Sequence, residues 1–96
     1  MRAYEVVVII DAKLDEEATN GVVTKYEELL KNNGAEIVKI DRWGKRRLAY
    51  EINKNREGFY VLYDIKAEPA AVAEMERLMK IADEVIRFLT VRKDEE

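Results

Sequence analysis

Ninety-six residues, 48% of them hydrophobic and 39% charged, suffice for one domain with a modest core and are too well patterned for a disordered chain. With neither cysteine nor histidine, the chain has no disulfide framework, no thiolate or imidazole metal site, and none of the commonest general acid–base groups. A formal net charge of −3 argues against a protein that coats nucleic acid indiscriminately.

Tyr4 to Ile10 reads as a buried strand, because Val6, Val7, Val8, Ile9 and Ile10 are apolar without alternation. A run of about five apolar residues is too short for a signal-peptide core or a membrane span, so no membrane association is expected. The missing cysteines suit a reducing cytoplasm. Asp15 can cap a helix whose first turn carries Glu16 and Glu17, acids placed at the positive end of the helix dipole. Ala18, Val22, Tyr26, Leu29 and Leu30 recur at helical spacing and predict its core face. Gly21 costs about 1 kcal/mol relative to alanine and predicts a fraying or bent turn. Asn33-Gly34 predicts the stop, with Gly34 left-handed after the cap.

Ala35 to Arg42 reads as a second strand, interrupted at Trp43-Gly44 and resumed from Lys45 to Ile52, so that Gly44 marks a bulge in one long β segment. Asn53 to Gly58 is read as a polar turn, and Phe59 to Lys66 as a third strand forming a hairpin with the second. Glu68-Pro69 opens a second helix with the apolar stripe Val72, Met75, Leu78, Met79 and Ala82. Val85 to Val91 is the last strand. Residues 1–93 thus form a single domain, followed by a short acidic tail, Asp94-Glu95-Glu96.

The order β-α-β-β-α-β predicts an α+β, ferredoxin-like fold: a four-stranded antiparallel sheet with two helices on one face. The most apolar strands, the first and third, should be central, and the two carrying basic residues should be edges. Helices cover only one face of such a sheet, yet strand parity leaves Val7, Ile9, Tyr60, Leu62 and Leu89 on the other, beside Arg87. An apolar patch of that size predicts a protein partner, with self-association or simple tolerance of exposed side chains as the alternatives.

Charge is unevenly spread. Between Lys39 and Arg56 seven basic residues (Lys39, Arg42, Lys45, Arg46, Arg47, Lys54 and Arg56) face two acids (Asp41 and Glu51), a net of +5, so the remainder carries −8. A basic segment in an acidic protein reads either as a localised nucleic-acid footprint or as a charged strand edge that resists aggregation. No catalytic constellation stands beside it. Serine is absent, the threonines are Thr19, Thr24 and Thr90, and the glycines are isolated, so no phosphate-cradling loop exists. Neither enzymatic activity, nor a cofactor, nor a small-molecule substrate is expected. Gly58-Phe59-Tyr60-Val61-Leu62-Tyr63 only partly matches the strand on which RNA-recognition sheets stack bases, because a bulky Tyr60 stands where a small residue should.

The run Trp43-Gly44-Lys45-Arg46-Arg47-Leu48-Ala49-Tyr50-Glu51-Ile52 is more specific. Together with Met1-Arg2, Tyr4-Glu5 and Gly58-Phe59-Tyr60, it resembles the bacterial ribosomal S-six family, and the resemblance extends over essentially the whole chain. It implies a structural, non-enzymatic protein of the small ribosomal subunit that binds the central domain of 16S ribosomal RNA together with the ribosomal S-eighteen protein. It also implies rRNA contacts at Arg2, Tyr4, Arg46, Arg47 and Tyr50, with Arg87 and Arg92 similar to basic positions of the family. On that reading the apolar sheet face becomes the docking surface for S-eighteen. Two alternatives remain: a small-molecule-sensing regulatory domain of the same fold, and an engineered variant of the ribosomal scaffold.

Overall fold

The structure is a computed structural model describing residues 1–52 and 54–93, so the acidic tail lies outside the described residues. Its elements follow the expected order: β1 (Arg2–Asp11), α1 (Glu16–Asn32), β2 (Glu36–Ile52), β3 (Asn55–Ala67), α2 (Pro69–Ile81) and β4 (Val85–Arg92). The sheet runs β2-β3-β1-β4, all pairs antiparallel, with the two most apolar strands in the middle and the two basic ones at the edges.

One face of β1 and β3 (Val6, Val8, Ile10, Val61, Tyr63 and Ile65) packs with Val23, Tyr26 and Leu30 of α1 and Met75 and Met79 of α2, every one at most 2% exposed. Burying a large apolar side chain contributes roughly 1.5–3 kcal/mol, so this layer is the main source of stability. Asp15 caps α1, its carboxylate accepting from the Ala18 backbone N–H at 2.7 Å. Thr19 is buried in the same turn and donates its hydroxyl to the Asp15 carbonyl at 2.9 Å.

The α1 stripe is rotated from its expected phase. Thr19, Val22, Val23, Tyr26 and Leu30 are buried, whereas Ala18 is exposed and Leu29 only half-buried. Steps of four residues overshoot a turn of about 3.6, so Ala18 and Leu29 fall together on the margin of the stripe. Gly21 does not break the helix, which runs unbroken past it on the exposed side. Gly34, at φ 83°, takes the left-handed place after the Asn33 cap.

The bulge stands where expected. The β2–β3 register shifts between Arg42 and Gly44, and Gly44 has φ 85°, a left-handed conformation that a Cβ would strain. The hairpin, however, is longer than its composition suggests. Ile52 pairs with Asn55, and Lys54 turns the chain at φ 67°, so Asn55, Arg56 and Glu57 belong to β3 instead of to a loop. The reason is geometric. β1 stops pairing with β3 at Asp11↔Gly58, while β2 and β3 continue together beyond it. Past the sheet's end the ribbon lies outside the helix-covered core, so Asn55, Arg56 and Glu57 on its β3 strand are polar although the backbone stays paired.

Candidate nucleic-acid interface

The projecting hairpin is fastened to the sheet by a second, small apolar contact on the face away from the helices. Leu48 and Ile9 are each 8% exposed, and both lie against Gly58. A Cβ at Gly58 would overlap the Ile9 Cγ2 methyl, so glycine is needed here for space. Across the same end, the Arg87 Nη1 on β4 donates to the Tyr50 hydroxyl at 2.9 Å. The ribbon therefore reaches over the end of β1 and joins the two edges of the sheet.

Lys45, Arg46 and Arg47 are exposed on this ribbon, and among the described residues none of them has an acidic partner. Other basic residues nearby are engaged: Arg42 donates to Asn20 on α1, Lys39 lies 3.8 Å from Asp41, and Arg56 lies 3.8 Å from Glu51. Strand alternation separates the three uncommitted cations. Arg46 pairs with Gly58, which pairs with Asp11, on the same side as Ile9 and Tyr60. Lys45 pairs with Phe59 and Arg47 with Glu57, on the helix side. Positive charge thus wraps the β2 edge and is presented on both faces.

The residues expected to contact rRNA do not form one group. Arg46, Arg47, Tyr50 and Arg87 come together at the hairpin end. Arg2 and Arg92 lie at the opposite end, where Arg2 pairs with Ala67 and Arg92 with Tyr4. The ten residues of β1 from Arg2 to Asp11 span roughly 30 Å at about 3.3 Å per residue. Tyr4 is in neither group. It is 8% exposed and belongs to the core under the helices, so its ring cannot serve as an RNA-facing surface. Even parity with Val6 and Val8 puts it there.

The residues expected at a protein interface do share one face: Val7 pairs with Leu62 and Leu89, and Ile9 pairs with Tyr60 and Arg87. Ile9 is nevertheless withdrawn from any partner, because the hairpin covers it. Val7, Tyr60 and Leu62 are half-buried, and Leu89 is 59% exposed. Two further residues join this face that parity counting passed over. Val91 pairs with Glu5 and is 45% exposed. Trp43, 41% exposed, stacks on Tyr60 with ring centroids 6.2 Å apart and planes 18° from parallel. Trp43 lies two residues after Asp41, which pairs with Leu62 on this face, and the bulge resets parity for the residues that follow.

No helix among the described residues is long and apolar enough to cross a membrane, and no group of acids among them could hold a metal ion. The sequence model of the family described as ribosomal protein S6 matches residues 3–92. The chain is 54% identical over 96 residues to the small ribosomal subunit protein bS6 of Heliobacterium modesticaldum, covering 100% of both chains. It is 53% identical over 96 residues to that of Halalkalibacterium halodurans, again covering 100% of both. The crystal structure of 30S ribosomal protein S6 from Thermotoga maritima superposes with a TM-score of 0.91 at 30% identity, covering 96% of this chain and 87% of that one. The C-terminal domain of MgtC from Mycobacterium tuberculosis, at 13% identity and TM-score 0.67, shares the fold alone.

Proposed function

The chain belongs to the ribosomal protein S6 family, whose members are structural and non-enzymatic, and from that premise we propose that its β2–β3 hairpin binds the central domain of 16S ribosomal RNA while its open sheet face docks the S-eighteen protein. The observation that carries the RNA half is the exposed trio Lys45, Arg46 and Arg47, uncommitted to any acid among the described residues. A guanidinium donates two parallel hydrogen bonds to one phosphate, which suits Arg46 and Arg47 to a folded RNA backbone. Such contacts fix position, while shape and local base contacts supply selectivity. Arg87, held by Tyr50, adds a fourth cation at the same end. Arg2 and Arg92, at the far end, make a separate contact.

The protein half rests on Val7, Leu62, Leu89 and Val91, an apolar strip on a face no helix covers. A net-acidic domain with one basic ribbon binds RNA locally, and its remaining surface repels phosphate. The rival reading, a ligand-sensing domain, has no use for three uncommitted cations on a hairpin.

Two variants test the division. Arg46→Ala with Arg47→Ala should reduce binding of the central-domain rRNA fragment and leave S-eighteen binding intact. Leu89→Asp should abolish S-eighteen binding and leave direct RNA contacts intact. Equal loss of both ligands in both variants would show that one surface serves both.

A further inference from the structure

We propose that Trp43, Tyr60 and Arg46 form a stacking site for one unpaired nucleobase of single-stranded RNA; the proposal rests on the RNA reading of the hairpin and deepens it. The three side chains line one shallow depression on the open face, at the β2 edge. Its floor is rigid. The Trp43 and Tyr60 rings stack at 6.2 Å and 18°, an offset arrangement that holds both planes. The Trp43 indole N–H donates to the Asp41 carboxylate at 3.2 Å, which fixes the ring about its own axis. Lys39, 3.8 Å from that carboxylate, offsets the one negative charge beside the rings.

Charge selects the occupant. Arg46 borders the depression with no acid partner among the described residues, and Lys45 and Arg47 flank it in the chain. A flat apolar surface with a free guanidinium at its rim matches a nucleotide, whose base has two π faces and whose phosphate is anionic. An apolar protein segment would leave that guanidinium without a counter-charge. The strip formed by Val7, Leu62 and Leu89 carries neither ring nor cation and suits such a segment better. The bulge is what makes the site. Gly44 at φ 85° adds Trp43 to the strand as an extra residue, and so places an indole and a guanidinium three positions apart on one side of the sheet.

Trp43 is the sole tryptophan, so its emission reads this site alone. The full chain is titrated with short single-stranded oligoadenylate and, separately, with the central-domain 16S rRNA fragment. Saturable quenching of Trp43 by both is expected. Trp43→Ala should weaken oligoadenylate binding by roughly five- to a hundredfold, as loss of one base stack does, while Trp43→Phe retains most of it. Trp43 is partly exposed at a sheet edge, and an unchanged melting temperature in both variants shows that the fold is kept. If the rRNA fragment binds in a salt-dependent way without altering Trp43 emission, or if oligoadenylate binds Trp43→Ala as tightly as the native chain, the stacking site is overturned and the RNA reading stands. Quenching by S-eighteen in place of either RNA would overturn it in favour of a protein contact. Failure of both RNAs to bind the native chain, with S-eighteen present as well as without it, would overturn the functional reading as well.

Discussion

Tyr63 donates its hydroxyl to the Val23 carbonyl at 2.8 Å, whereas the equally buried Tyr26 hydroxyl has no hydrogen-bond partner among the described residues. The asymmetry predicts opposite outcomes for one chemical change. Tyr63→Phe should cost about 1 kcal/mol in a urea melt, and Tyr26→Phe should be neutral or stabilise by up to about 1 kcal/mol, since it removes a desolvated and unpaired group. Both phenols are pushed above the ordinary value of 10.0. For Tyr26 the cause is burial, reinforced by the charge of Glu84. For Tyr63 it is burial, opposed by Arg42 and reinforced by Glu27 and Tyr26. Below pH 10.0 both folded and unfolded chains keep these protons, so there is no penalty. As pH rises past that value the unfolded chain releases them first, and stability must fall. Urea melts should show the decline beginning near there, and Tyr26→Phe should flatten it. Gly58 is the third residue with a sharp prediction. Gly58→Ala drives a methyl into Ile9 Cγ2, which branches at Cβ and cannot swing aside, for a loss of about 1–3 kcal/mol.

The β2–β3 ribbon is the element on which the proposed function turns, and two anchors hold it: Leu48 beside Ile9 and Gly58, and Tyr50 with Arg87. Leu48 lies outside the main core, so Leu48→Ala should raise amide hydrogen exchange along residues 45–57 far more than in β1 or α1. Uniform acceleration across the molecule would mean that the ribbon and the core unfold as one. Much of the element plan was legible in the residues. Unbroken apolar runs marked β1 and β3 as central, Asp15 and Gly34 marked the ends of α1, and Gly44 marked the bulge. Parity along β1, β3 and β4 also placed the open-face residues correctly, because those strands keep register across their shared middle. Three features were not legible, each for a physical reason. The polar residues Asn55, Arg56 and Glu57 look like loop because this part of β3 lies outside the main core. The burial of Ile9 depends on Leu48, 39 positions away in the chain. Trp43 and Arg46, three positions apart, share the open face only because the bulge between them resets alternation.

At the scale of the whole molecule, the separation of charge matters more than its sum. The net charge of −3 conceals a segment of +5 whose basic residues lie along one edge and its projecting hairpin. On the proposed reading RNA is gripped locally while an apolar strip on the open face remains for a protein, and the ribbon's anchors join the two surfaces. The −8 over the rest of the chain disfavours sliding on RNA in other orientations, which should make association more sensitive to salt than the net charge implies. Contacts to phosphate release counterions, so their number appears in the slope of log affinity against log salt. The measurement that tests the account most directly is that slope for the central-domain 16S rRNA fragment with S-eighteen present, comparing the native chain with Arg46→Ala plus Arg47→Ala. Two lost phosphate contacts should reduce the slope by about two and the affinity at moderate salt by at least roughly tenfold, with the fold unchanged. An unchanged slope with native affinity would contradict the assignment of the hairpin to RNA.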